Sequence, residues 1–152
     1  MRTVKDILNT KTQGISYVAP DSLVIDALLI LSSTNSSYVV VMDENKFRGV
    51  FCERDYARKV VLYGRSSVKT MVREIMTADL PVVKLKDTVE YCMNLMNGHR
   101  VRYLVAVDEN HQFVNIITIN DLLRQVIAEK EEVFDNHITD KLLDTADGLR
   151  IY

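Results

Sequence analysis

Val24, Ala27, Leu28 and Leu31 are spaced as one apolar face of a helix, and Val89, Cys92, Met93 and Met96 repeat that spacing 65 positions later. The correspondence continues into the next element. Tyr38-Val39-Val40-Val41-Met42-Asp43-Glu44-Asn45 aligns with Tyr103-Leu104-Val105-Ala106-Val107-Asp108-Glu109-Asn110. One inserted residue then shifts the register, and residues 47–55 align with residues 113–121. A helix–strand–strand–helix pattern that recurs this way predicts two similar units related by a pseudo-two-fold axis. A cleft between such halves would offer two equivalent sites to a ligand, so the pattern points to a binding module.

The elements follow from periodicity and turn residues. A short helix is expected over residues 4–8, and its second copy is Val72-Arg73-Glu74-Ile75-Met76, with the charge type kept at each polar position. Short strands are expected over 15–18 and 80–83. Amphipathic helices follow over 22–33 and 87–98, with Ser22 and Asp87 placed to act as N-caps. The Val-rich runs 38–42 and 103–107 read as strands buried on both faces. Asp43-Glu44-Asn45 and Asp108-Glu109-Asn110 read as turns in which the Asn takes the left-handed conformation. Strands over 47–51 and 113–118 lead into helices that begin near Arg54 and Asn120. Each unit is therefore β-α-β-β-α. The first repeat spans 1–62, a linker 63–71, the second repeat 72–130 and a C-terminal tail 131–152. In the tail, Val133, Ile138, Leu142 and Leu143 are weakly periodic, as in a segment that packs on a partner or frays.

Composition narrows the function classes. The chain of 152 residues is 47% hydrophobic with a net charge of −2, which suits a globular protein and gives no basic excess for nucleic acid. No apolar run approaches the ~20 residues that span a bilayer, and residues 1–8 do not resemble a secretory signal. Cys52 and Cys92 sit in apolar company and read as reduced core thiols of a cytoplasmic protein. His99, His111 and His137 lie in unrelated contexts and read as surface residues, so no metal-ligand spacing is present. No Gly-rich phosphate loop occurs, and no Ser or Cys has an evident base partner. No catalytic set is expected.

The chemistry that remains lies at two strand-to-helix corners. Thr118-Ile119-Asn120-Asp121 has the form of a capping box, with a hydroxyl at the N-cap and an acid three residues on. The same geometry presents helix N–H groups to an anion and a carboxylate to the vicinal hydroxyls of a ribose. The corresponding corner, Cys52-Glu53-Arg54-Asp55, lacks the hydroxyl but keeps Asp55 in register. An Asp retained without its cap partner points modestly to a ligand role. Arg58, Lys59, Arg65, Lys69 and Arg73 form a run without acids; such a run makes a solvated face, or one or two of its cations meet a phosphate. Arg102, beside the second corner if the strands pair as expected, is the better-placed phosphate candidate.

With its duplicated β-α-β-β-α pattern, its Asp-Glu turns and its two corners at 49–55 and 115–121, the sequence resembles a tandem pair of cystathionine-β-synthase-type (CBS) domains, or Bateman module, over roughly residues 1–130. It is similar to stand-alone two-domain members. The resemblance implies an α/β (α+β) fold and a non-catalytic regulatory sensor of adenine nucleotides (AMP, ADP, ATP or NAD(H)), with no required cofactor or metal. It implies that Thr118 and Asp121 take sugar and phosphate, Arg102 meets phosphate, and Ile15, Ser16, Tyr17, Ser37 and Tyr38 flank the base. It implies a second cleft at Asp55 with Leu80, Pro81 and Val82. It also implies a homodimer acting on a regulated protein, without nucleic acid or membrane; a scaffold that binds no ligand is the alternative. The chain departs from the family pattern at Cys52 for Ser or Thr, at Asn115 for Gly and at Val105 where Pro is common. The first change weakens the Asp55 cleft, and the second would tighten the approach to Asp121, so the Asp121 cleft ranks first.

Overall fold

The apolar face beginning at Val24 forms a helix, and its copy at Val89 forms another, in the computed structural model of the chain, which describes residues 1–129. The expected tail, with Val133, Ile138, Leu142, Leu143 and His137, lies outside the described residues. The elements are α1 (Val4–Thr10), β1 (Tyr17–Val18), α2 (Val24–Thr34), β2 (Tyr38–Asp43), β3 (Lys46–Cys52) and α3 (Glu53–Asp55). Helix α3 runs on as a π-helix (Tyr56–Val61), and a 3-10 turn follows (Val72–Glu74). The second series is β4 (Val82–Lys84), α4 (Val89–His99), β5 (Tyr103–Val107), β6 (Phe113–Thr118) and α5 (Ile119–Ala128). The fold is α+β, with two three-stranded sheets ordered β1-β2-β3 and β4-β5-β6.

The compact units are not the sequence repeats. One unit joins Met1–Gln13 to the described residues from Leu80 onward, and the other is Gly14–Asp79. Helix α1 therefore packs with α5 and β6, and Val4 and Ile7 enter a core made with Val83, Val89, Cys92, Met96, Leu104, Ile117 and Leu122. In the other unit, Val72 of the 3-10 turn and Ile75, which follows it, enter the core of Val24, Ala27, Leu31, Val39, Val41, Phe51 and Val60. Each leading segment completes the core of the unit to which the other repeat contributes its sheet. Burying a side chain of this size contributes about 1.5–3 kcal/mol, which is why so short a helix as α1 is held.

The backbone explains two departures from expectation. Ser22 and Asp87 do not cap helices: the N-caps are Leu23, which offers no side-chain bond, and Thr88, whose hydroxyl accepts from Tyr91 N–H. The free N–H groups of α2 are met by backbone instead, Val24 N–H donating to Thr70 O and Ile25 N–H to Ser67 O. The start of α1 is satisfied the same way, Val4 N–H by Asp87 O and Lys5 N–H by Leu85 O. Asp87 turns its carboxylate to Lys84 N–H at 2.8 Å. Both long helices end on a left-handed residue, Asn35 and Arg100.

Within each sheet the first strand runs parallel to the second and the second pairs antiparallel with the third. Val39, Val40 and Val41 are fully buried, as are Leu104 and Ala106, matching strands covered on both faces. In the first hairpin Glu44 and Asn45 take positive φ, as expected for Asn45. In the second the left-handed residue is His111 and not Asn110. The inserted residue moves the turn, and Asp108 Oδ1 accepts from both Asn110 N–H and Gln112 N–H across it.

Candidate functional site

Both corners form because an acid at the third helical position accepts the N-cap backbone N–H. Thr118 N–H donates to Asp121 Oδ2 at 2.8 Å, and Cys52 N–H donates to Asp55 Oδ2 at 3.1 Å. The same bond recurs from Thr3 N–H to Asp6 and from Met71 N–H to Glu74, which accounts for the kept charge at those positions. At Asp6 the Thr3 backbone N–H, and then the Thr3 hydroxyl, hold the carboxyl below its ordinary value. The bond also corrects one inference from sequence. Asp55 keeps a cap partner although the hydroxyl is gone, because the partner is backbone and the Cys52 thiol donates to the same oxygen at 3.2 Å.

At the second corner, Thr118 Oγ1 accepts from Asp121 N–H at 3.2 Å, completing the capping box of α5. Lys11, the residue that ends α1, reaches the same carboxylate: its Nζ lies 3.0 Å from Asp121 Oδ2 and 2.9 Å from Ile116 O. The pair is mostly covered, at 14% exposure for Lys11 and 15% for Asp121. Both contacts converge on Oδ2; among the described residues none donates to Oδ1. Asn120, the residue before Asp121, is 5% exposed, and its Nδ2 has no hydrogen-bond partner among the described residues. A buried donor in that state is ordinarily met by water or a bound molecule.

The first corner is tied more tightly. Asp55 Oδ1 accepts from Thr77 Oγ1 at 2.8 Å and pairs with the Lys59 ammonium at 2.9 Å, so both carboxylate oxygens are engaged. Lys59 also donates to Ile75 O at 3.1 Å and Thr77 Oγ1 at 3.2 Å. Asp55 is 6% exposed. Lys59 reaches back one turn along the widened π-helical segment, a rare geometry that is frequent at functional sites. Burial, and then the Asp55 charge, push the Cys52 thiol from 9.0 up to about 12.

The remaining expected residues fall into the two units as follows. Arg102 lies beside the second corner as its strand position requires: Ile119 N–H donates to Arg102 O at 3.0 Å, and Tyr103 pairs with Thr118. Its side chain is exposed and makes no ion pair with a described residue. Pro81 and Val82 belong to this same unit, where Pro81 O accepts from Val105 N–H at 2.9 Å. That bond needs an N–H at Val105, which Pro would lack. Ile15, Ser16, Tyr17, Ser37 and Tyr38 lie in the unit of Asp55, Ser16 O accepting from Val40 N–H and Ser37 O from Glu53 N–H. Of the run of cations, Lys59 is bound to Asp55 and Arg73 pairs with Asp21 at 2.8 Å.

Sequence reasoning missed Lys11, Thr77 and Asn120. Lys11 and Asp121 are 110 positions apart, and nothing local joins them. The Asp55–Lys59 pair did carry a signal, the i, i+4 spacing of opposite charges on a helix. Among the described residues no group of His, Cys, Asp and Glu could hold a metal ion, and no helix is long and apolar enough to cross a membrane.

The CBS domain family model matches twice, at residues 4–62 and 72–128. The chain is 29% identical over 139 residues to the mitochondrial CBS domain-containing protein CBSX3 of Arabidopsis thaliana, covering 86% of this chain and 67% of the relative. It is similar to the structure of a CBS-domain protein from Burkholderia ambifaria, with a TM-score of 0.78 and 38% identity, over 84% of this chain and 95% of that one. It is also similar to the crystal structure of CBSX2 in complex with AMP, with a TM-score of 0.70 and 25% identity, over 84% of this chain and 98% of that one. Two matches to the family model, two copies of one α+β pattern and a capped acidic corner in each unit place this chain in the CBS-domain family, as a tandem pair.

Proposed function

We propose that the chain is a non-catalytic regulatory module that binds an adenine nucleotide, AMP, ADP, ATP or NAD(H), at the Thr118–Asp121 corner. The observation that carries this reading is the contrast between the two carboxylates. Asp55 has both oxygens engaged, whereas Asp121 keeps Oδ1 available at a helix N-terminus, where it can accept from ribose hydroxyls. The AMP complex of the similar CBSX2 supports the ligand class. Arg102 stands beside the corner as a phosphate cation, and the Asp55 corner is the weaker site or holds no ligand. The free cysteines fit a reducing compartment such as the cytoplasm.

The test is thermal unfolding with each nucleotide. A ligand at a hundred times its dissociation constant stabilises the fold by about 2.7 kcal/mol. For a chain of this size that raises the melting temperature by about 5–11 °C. Asp121→Ala should remove most of the rise, and no ATP should be hydrolysed. A second reading, a ligand-free scaffold that works through protein contacts, is favoured by the exposed side chains of Val61, Leu62 and Tyr63. Absence of any shift at millimolar nucleotide would select it.

A further inference from the structure

We infer that Lys11 reads the phosphate at the Asp121 corner and so makes the site prefer a nucleotide to a nucleoside. The inference rests on the nucleotide reading above and adds the residue that sets its specificity. A lysine ammonium has three N–H donors. Lys59 is enclosed by three oxygens, pairing with Asp55 Oδ1 and donating to Ile75 O and Thr77 Oγ1. Lys11 spends two, on Asp121 Oδ2 and Ile116 O, and no other described residue accepts from it. One charged donor therefore remains beside the carboxylate proposed to hold the ribose.

The electrostatics require such a group. A nucleotide that gives its diol to Asp121 brings phosphate charge close to a carboxylate 15% exposed, where water screens the repulsion poorly. Lys11 neutralises that carboxylate at 3.0 Å and offers its third N–H to the phosphate. It is also held in place: two bonds fix its Nζ, and α1, whose C-terminus it ends, is anchored by Val4 and Ile7 in the core. Arg102 is exposed and makes no ion pair among the described residues, so it enters the interaction without that preorganisation.

The experiment is calorimetric binding of AMP and of adenosine to the wild type, Lys11→Met and Lys11→Gln. Gln keeps a neutral amide donor for Ile116 O, so it carries the test if Met impairs folding. In the folded variants AMP affinity should fall at least about tenfold further than adenosine affinity, the size of one lost charge-assisted bond. A second measurement needs no variant: AMP should slow reductive methylation of Lys11, read by mass spectrometry, more than adenosine does. An unchanged AMP-to-adenosine ratio in the variants, or equal protection by the two ligands, overturns the role of Lys11. In that outcome nucleotide binding lost in Asp121→Ala would still stand. A wild type that binds neither ligand overturns both.

Discussion

A Cβ placed on Gly49 would sit 2.6 Å from the backbone oxygen of Thr77, closer than any side chain tolerates. The approach is made by a two-way bridge in which Val50 N–H donates to Thr77 O at 2.9 Å and Thr77 N–H to Val50 O at 2.8 Å. That bridge carries the Thr77 hydroxyl to Asp55. The second repeat has Asn115 at the place of Gly49. There Asn115 Oδ1 accepts from Ile116 N–H at 2.8 Å, the N–H that corresponds to Val50. The side chain does in one repeat what the Thr77 backbone does in the other.

Gly49→Ala should therefore destabilise the protein by about 1–3 kcal/mol through backbone displacement, and the loss should appear as a lower midpoint in urea. Asn115→Ala should cost about 1–3 kcal/mol for a different reason, an unpaired Ile116 N–H. Asn115→Ala as stable as wild type would show that water replaces the Asn115 oxygen.

Asp55→Ala removes the ion-pair partner of Lys59 and the acceptor of Thr77 and Cys52 at a site 6% exposed. Its cost should be about 2–4 kcal/mol, the lower end reflecting the partial exposure of Lys59. The nucleotide-dependent rise in melting temperature should survive. A stable variant that loses nucleotide binding would move the ligand site to this corner.

Cys52 should resist alkylation in the native state. Its folded pKa is raised, so the stabilisation tied to its neutral form is fully present below the unfolded value of 9.0 and is lost as pH rises toward about 12. Cys92, pushed up to about 11 by burial and then by the Asp87 charge, follows the same sign. Iodoacetamide at pH 8 should label either thiol only after urea unfolding, and labelling of the folded protein within minutes would contradict it.

Arg100 ends α4 with φ 53°, a conformation that costs a side chain energy and glycine none. Arg100→Gly should raise stability by about 0.5–1 kcal/mol. A decrease in the urea midpoint would mean that the Arg100 side chain contributes more than its backbone costs.

The chain should assemble as a homodimer. Leu29 on α2 is 62% exposed, and Leu62 and Tyr63 are 77% and 76% exposed, apolar side chains that a second copy can cover by two-fold pairing. Light scattering should give twice the chain mass of 17.4 kDa, and a monomer at micromolar concentration would refute the pairing.

What the sequence determined is local. The apolar spacing of Val24, Ala27 and Leu31, the Val-rich strands and the Thr118–Asp121 capping box each depend on residues a few positions apart, so periodicity and cap chemistry suffice to read them. Tertiary structure decided what depends on contacts across long chain separations. Leu23 could replace Ser22 as an N-cap because the carbonyls of Ser67 and Thr70 come to α2, and no local pattern announces their arrival. The short helix at Val4 packs in the unit of the second repeat because Val4 and Ile7 find their apolar partners there, an outcome of core complementarity rather than chain order. The difference between the two corners arises the same way. Asp121 meets Lys11 only after the fold brings the end of α1 to the start of α5, whereas Asp55 meets Lys59 one turn along its own helix.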